Sequence, residues 1–260
     1  MPIFDLAEKL GVEVKFRSET SLEGMYFKNE KVILVSSHRP LGRQAFTCAH
    51  ELGHHVFDHG TSVDDVIDGD FSGSKPDEEL EADLFAAHLL MPLKGVKKAF
   101  KVRNWDVKEL KTHQAYSMAS LFGVTYNAFV THLCFNLSLI TKSTYERLTT
   151  VTPKSIKSSL LGFEHAGELA IIDRFWNGRP IDLMHGQYAI FTKSVQTSNL
   201  ENVDIISETS RYFVVKATKQ MSSETNIQNK PVCVRVSGTE DAPYVGRNAF
   251  RYLEEPIEPS

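Results

Sequence analysis

The residues with the clearest chemical potential in this chain of 260 residues are His50, Glu51 and His54. They form a His-Glu-x-x-His pentapeptide that contains no proline and has apolar neighbours at helical spacing. Two histidines four residues apart lie one above the other on a helix, so both imidazoles can bind one divalent transition metal. Glu51 lies beside them and suits a general base that acts on metal-bound water. The pentapeptide therefore predicts a catalytic metal site.

A surface helix with scattered histidines is the competing interpretation, because the chain contains 10 histidines. Two features favour the metal site. The side of the helix that must pack is apolar, and Gly53 allows a neighbouring element to approach closely. Acidic residues that could supply a third ligand also follow downstream.

The third ligand is expected on the next helix, which the pattern predicts from Glu78 to Pro92. Its apolar stripe is formed by Leu80, Leu84, Ala87 and Met91. We choose Glu81, because it lies close to this stripe and His₂Glu is a common ligand set of catalytic zinc. The acids that compete with it on composition are Glu78, Glu79 and Asp83. Asp83 could instead orient a ligand histidine through its ring N–H, or be an exposed acid.

The elements that must position these residues are short. A helix over residues 3–10 ends at Gly11, and a strand is predicted over residues 12–16. A hairpin follows, with strands at 24–27 and 31–36. This small sheet either forms one wall of a cleft, with an edge strand that binds an extended peptide, or only packs against the metal helix. Residues 61–76 are predicted to form an acidic loop.

Composition limits the function classes. The chain is 42% hydrophobic and 24% charged, as in an ordinary soluble globular protein, and its net charge of −4 gives no overall case for nucleic acid or membrane binding. The three cysteines form neither a disulfide framework nor a Cys-x-x-Cys pair. No signal peptide and no membrane-spanning apolar run are visible, which predicts a cytoplasmic protein.

Two segments, taken together, resemble the ImmA/IrrE family of metallopeptidases. The first is Arg-Gln-Ala-Phe-Thr-Cys-Ala-His-Glu-Leu-Gly-His-His from Arg43, and the second is Glu-Ala-Asp-Leu-Phe-Ala-Ala-His-Leu-Leu-Met-Pro from Glu81. The resemblance covers residues 1–95, where the two motifs agree in order and spacing. It implies a minimal zincin-like domain with His50, His54 and Glu81 on the metal. Glu51 matches the catalytic glutamate of the family.

The resemblance also implies a cofactor and a partner. The cofactor would be Zn²⁺, although a His₂Glu site could also hold Mn²⁺. The partner would be a protein substrate, a helix-turn-helix transcriptional repressor whose cleavage switches on a stress or mobile-element regulon. The oxyanion that develops during peptide hydrolysis needs a further donor besides the metal. Tyr26, Arg43 and His88 could supply it, and the sequence does not select among them.

The rest of the chain predicts two more units in an α+β protein: a helical, helix-turn-helix-like unit over residues 96–148 and a C-terminal α+β domain, sensory or partner-docking, over residues 149–260. A basic connection is expected over residues 93–111. The second helix of the helical unit, from Tyr126 to Asn136, has no Lys or Arg, so a structural role is favoured over DNA binding. C-terminal strands are predicted at residues 169–172, 188–191, 212–217 and 232–236.

Two functions of a different class compete with the peptidase. One is a DNA-binding regulator in which the metal site is structural. The other is a partner-binding regulator, for example one subunit of a toxin-antitoxin-like pair. In both, the Glu51 carboxylate would have no chemical role, whereas a peptidase requires it.

Overall fold

The structure is a computed structural model that describes residues 3–18, 22–60, 62–65, 76–176, 178–197 and 199–253. Its elements give the predicted α+β class. The elements that surround the His-Glu-x-x-His segment are α1 (Ile3–Lys9), β1 (Glu13–Arg17), β2 (Leu22–Phe27), β3 (Val32–Ser36), α2 (Leu41–Val56), β4 (Ser62–Asp65) and α3 (Asp77–Leu90). Gly11, with φ of 78°, ends the first helix as expected.

The predicted hairpin is confirmed, because β2 and β3 pair antiparallel with Gly24 opposite Val35 and Phe27 opposite Val32. β1 pairs parallel with β3, on the side of β3 that faces away from β2. Residues 62–65, expected in a loop, instead form β4 and pair antiparallel with β2, while the acidic residues 66–75 lie outside the described residues. β2 is therefore an inner strand, and the sheet edge on the β2 side belongs to β4. A peptide cannot add to β2 itself.

Beyond α3 the chain is mostly helical up to residue 161. The helices are α4 (Leu93–Arg103), α5 (Thr112–Phe122), α6 (Tyr126–Thr131), α7 (Lys142–Thr149) and α8 (Pro153–Leu161). The expected basic connection is wrong for its first half, because α4 buries Val96, Ala99 and Phe100 as an amphipathic helix. A π-helical turn, His132–Asn136, continues α6.

The predicted two-helix motif has the bend of a helix-turn-helix. Gly123, with φ of 66°, ends α5, Thr125 caps α6, and the two helical stretches are bent by 103°. His132, on the second helical stretch, is buried, and its Nε2 lies 3.0 Å from the carbonyl oxygen of Met91. The second helix thus packs against the end of α3, and DNA binding by this unit stays a prediction.

The C-terminal part contains the predicted strands and several more. They are β5 (Leu169–Ile172), β6 (Ile181–Met184), β7 (Tyr188–Thr192), β8 (Val203–Glu208), β9 (Tyr212–Ala217), β10 (Ser222–Ile227), β11 (Lys230–Ser237) and β12 (Gly246–Arg247). They form one sheet in the order β5-β7-β9-β8 and another in the order β10-β11-β6. β12 belongs to neither of these two sheets and pairs antiparallel with β1.

The division at residues 95/96 and 148/149 stays a prediction, and contacts among the described residues cross both boundaries. One apolar core extends from Ala87 on α3 to Val214 on β9. In addition, Arg251, which follows β12, is buried against Phe4 and Phe16, and its guanidinium donates to Gln44 Oε1 on α2 at 2.8 Å. The C-terminal segment is therefore part of the packing around the metal helix.

Among the described helices, none is by itself long and apolar enough to cross a membrane, and only the bent pair formed by α5 and Tyr126–Asn136 would be so when both halves are taken together.

Candidate metal centre

Helix α2 carries the His-Glu-x-x-His residues on its buried side. His50, Glu51 and His54 are 3%, 0% and 1% exposed. The four-residue spacing brings the two imidazoles together as predicted, with 3.1 Å between their Nε2 atoms. Two imidazoles at this distance either share one N–H or direct both lone pairs at one metal ion.

A carboxylate from α3 completes the group of possible ligand atoms. Glu79 Oε2 lies 3.1 Å from His50 Nε2, and Glu79 Oε1 lies 3.3 Å from His54 Nε2. In a tetrahedral zinc site with bonds of about 2.0–2.1 Å, neighbouring ligand atoms are about 3.3 Å apart. Within the described part of the chain, His50, His54 and Glu79 are also the group of three that has metal-ligand spacing. Both the spacing and the donor set fit a zinc ion.

Glu81, the ligand chosen on the sequence, lies elsewhere. Its side chain is 59% exposed, and its Oε2 lies 3.3 Å from His59 Nε2 rather than beside the two ligand histidines. The structure therefore places Glu79, and not Glu81, beside the two histidines, and we replace Glu81 with Glu79 as the proposed third ligand.

Which acid points towards α2 depends on which face of α3 is buried. Leu80 and Leu84, which the sequence placed in the buried stripe, are 52% and 39% exposed. The buried face is instead made of alanines, with Ala82 and Ala86 both 0% exposed. Glu79 precedes them on that face by three and seven residues, so it points towards α2.

Gly53 explains why alanines are buried. A Cβ added at Gly53 would lie 3.1 Å from Ala82 Cα and 3.2 Å from Phe85 Cδ1. α2 and α3 thus cross at a distance that a leucine between them would not permit. This close crossing brings the Glu79 carboxylate within reach of both imidazoles.

Each ligand histidine is also held at its other ring nitrogen. His50 Nδ1 lies 3.0 Å from Asp83 Oδ1, which is the orienting role that the sequence allowed for Asp83. His54 Nδ1 lies 3.0 Å from His59 Nδ1. Burial, and then the neighbouring imidazoles of His50 and His59, lower the pKa of His54 to about 4. His54 is therefore neutral at neutral pH, as a metal ligand must be.

Glu51 lies on the sheet side of α2. A Cβ added at Gly24 on β2 would meet Glu51 Oε1 at 2.7 Å and Thr47 Cγ2 at 2.3 Å. The absent side chain at Gly24 therefore leaves the space that Glu51 occupies. The buried carboxylate is confined between the helix and the strand, which suits a group that must act at one fixed position.

The three candidate oxyanion donors have other contacts. Tyr26 Oη lies 2.7 Å from His55 Nδ1. Arg43 Nε donates to Glu23 Oε2 at 3.0 Å. His88 is exposed and its ring packs edge-on against the His132 ring. The oxyanion role stays unassigned.

Sequence reasoning named Glu79 only as a competitor of Glu81, and it missed His59 and the role of Gly24. A signal for Glu79 was available, because Gly53 in α2 allows a close approach and the alanine face of α3 includes position 79. No local pattern identifies His59, because it follows the end of α2 at Val56 and reaches the site through a turn in which Asp58 has φ of 60°.

Comparison with known proteins agrees with this geometry. Residues 7–133 match the Peptidase_M78 family model, described as the IrrE N-terminal-like domain. A comparison with curated proteins gave no match. The matched segment contains α2, α3 and all the candidate ligands. Residues 7–133 of this chain belong to the Peptidase_M78 family as an IrrE N-terminal-like domain.

Proposed function

We propose that this chain is a zinc-dependent endopeptidase. The proposal rests on the distances of 3.1–3.3 Å between the Nε2 atoms of His50 and His54 and the carboxylate oxygens of Glu79. The buried carboxylate of Glu51 lies on α2, the helix that carries both histidines. Three protein ligands leave a fourth position of a tetrahedral ion for water or substrate, which is the arrangement of catalytic rather than structural zinc.

The chemistry divides between the ion and the protein. A zinc ion held by His50, His54 and Glu79 would supply Lewis acidity, which would lower the pKa of a water molecule and polarise the scissile carbonyl. Glu51 accepts the proton of the attacking water and returns it to the nitrogen of the leaving amine. Asp83 holds His50 by its ring N–H, so that the ligand nitrogen stays aimed at the ion.

The substrate that we propose is the one that the family resemblance implies, a helix-turn-helix transcriptional repressor. Among the described strands, β4 lies at the end of the sheet on the β2 side, and we propose that an extended substrate segment pairs with its outer side. Because β4 pairs with β2 at Gly24, such a segment would lie two strand spacings, or about 9–10 Å, from Gly24, which Glu51 contacts.

The test is to incubate the zinc-loaded chain with purified helix-turn-helix repressors of the same organism and to identify products by intact-mass spectrometry. We expect one defined fragment pair from the native chain and none from Glu51→Gln, which keeps all three ligands but loses the base. Equal cleavage by the Glu51→Gln chain would contradict the mechanism.

An intact substrate would favour the regulator functions instead. Of these, DNA binding has little support, because α6 exposes Asn127 and Thr131 and carries no Lys or Arg. Duplex binding that weakens steeply with salt, together with full function of Glu51→Gln, would nevertheless establish it.

A further inference from the structure

His59 is a buried histidine with two defined partners. It is 8% exposed and lies beyond the end of α2. Its Nδ1 lies 3.0 Å from Nδ1 of the ligand His54, and its Nε2 lies 3.3 Å from Glu81 Oε2. Glu81, which is not near the metal ligands, therefore connects to them through one imidazole.

The positions of the hydrogens follow from this chain of contacts. His54 presents Nε2 to the ligand cluster, so its single N–H in the neutral form is on Nδ1 and donates to His59. His59 Nδ1 must then accept, which places its own hydrogen on Nε2. That hydrogen is donated to the Glu81 carboxylate, which can only accept when ionised. Each assignment is determined by the one before it.

We propose that His59 and Glu81 form a positioning pair that fixes the tautomer and ring orientation of His54, so that Nε2 is presented to the metal. The proposal rests on the metal centre of the proposed function. It gives the second ligand histidine a support equivalent to the one that Asp83 gives to His50. Outer partners of this kind set metal affinity as well as geometry.

The first experiment replaces His59 with leucine or with glutamine, of which glutamine can accept a hydrogen bond and leucine cannot. Zinc affinity is measured by competition with a chromophoric chelator, and the Co²⁺ absorption spectrum reports the ligand geometry. His59→Leu removes the acceptor for His54 Nδ1–H, and we expect zinc binding to weaken about 10–100-fold. His59→Gln offers an amide oxygen as acceptor, and we expect it to recover most of that loss. Circular dichroism of the metal-free chains establishes that both fold.

The second experiment uses the exposed end of the pair. Glu81→Lys replaces an acceptor with a donor, which favours the His59 tautomer that directs a second N–H at His54. We expect zinc affinity to fall about tenfold, at the lower end of such effects because Glu81 is 59% exposed. Glu78→Lys is the matched control. Glu78 is exposed, as Glu81 is, it lies on the first turn of the same helix α3, and the charge change is identical.

The outcomes separate the proposal from the function on which it rests. Zinc affinity in His59→Leu within twofold of the native chain would overturn it, as would His59→Gln binding no better than His59→Leu. Equal losses in Glu81→Lys and Glu78→Lys would also overturn it, because general charge would then account for both. If His59→Leu does not fold, the Glu81→Lys comparison decides. A native chain that binds no zinc would instead refute the metal centre itself, whereas unchanged affinities in a zinc-binding chain refute only the positioning pair.

Discussion

Exchanging a single carboxylate for its amide on either side of Leu80 should separate the two candidate third ligands. Glu79→Gln and Glu81→Gln make the same chemical change on the same helix, two residues apart. Of these two carboxylates, that of Glu79 lies 3.1–3.3 Å from both ligand imidazoles, whereas that of Glu81 lies 3.3 Å from His59. Glutamine matches glutamate in size, so the packing of α3 on α2 should be preserved in both variants.

The magnitude follows from the number of ligands. Structural zinc sites with four protein ligands bind with about 10–16 kcal/mol, or about 2.5–4 kcal/mol per ligand. At about 1.4 kcal/mol per tenfold, loss of one ligand weakens binding about 10²–10³-fold. We expect about 10²-fold for Glu79→Gln, since glutamine keeps a carbonyl oxygen. For Glu81→Gln we expect less than about threefold, because the amide oxygen can still accept from His59.

The assay is a zinc titration against a chelator of known affinity at fixed pH, with thermal melting of the metal-free chains to confirm that both fold. Affinity lost in Glu81→Gln and kept in Glu79→Gln would refute the assignment of Glu79. Equal losses in both variants would refute the argument that the alanine face of α3 selects the ligand.

Three further perturbations test other parts of the site. Gly24→Ala forces a methyl into the space of Glu51, so we expect peptide cleavage to fall while zinc affinity stays within threefold; normal cleavage would contradict this. Asp83→Ala removes the support of His50, and chelator competition should show zinc binding about 10–100-fold weaker rather than unchanged. Arg251→Ala empties a fully buried site beside the metal helix, which should lower the free energy of unfolding by about 2–4 kcal/mol. An unchanged urea midpoint for that variant would show that the C-terminal segment does not support the domain.

How far the sequence determines the site can be judged from α2 and α3. The spacing of His50 and His54 predicted their convergence, because helix geometry alone sets it. The third ligand depends on which face of α3 is buried, and hydrophobicity favoured the leucine face over the alanine face. Leu80 and Leu84 are nevertheless exposed, because α3 turns Ala82 rather than a leucine towards Gly53 at the close crossing. That contact is between residues far apart in the chain and has no local pattern.

Contacts between segments far apart in the chain also limit how much of the fold the sequence predicts. The β2–β3 hairpin and the strands at residues 169–172 and 212–217 follow from local alternation. β12 has only two residues, and its pairing with β1 joins segments more than 200 residues apart, so no periodicity indicates it. Burial of Arg251 against Phe4 and Phe16 is equally non-local. An arginine is rarely placed in a core from sequence alone, since its charge favours exposure.

The proposed enzyme requires that two imidazoles of α2 and the Glu79 carboxylate bind one ion. The most direct measurement is anomalous X-ray scattering at the zinc absorption edge from crystals of the zinc-loaded chain. We expect one peak about 2.0–2.2 Å from His50 Nε2, from His54 Nε2 and from a Glu79 oxygen. A peak bound by Glu81 instead of Glu79, or a peak away from both histidines, would contradict the account.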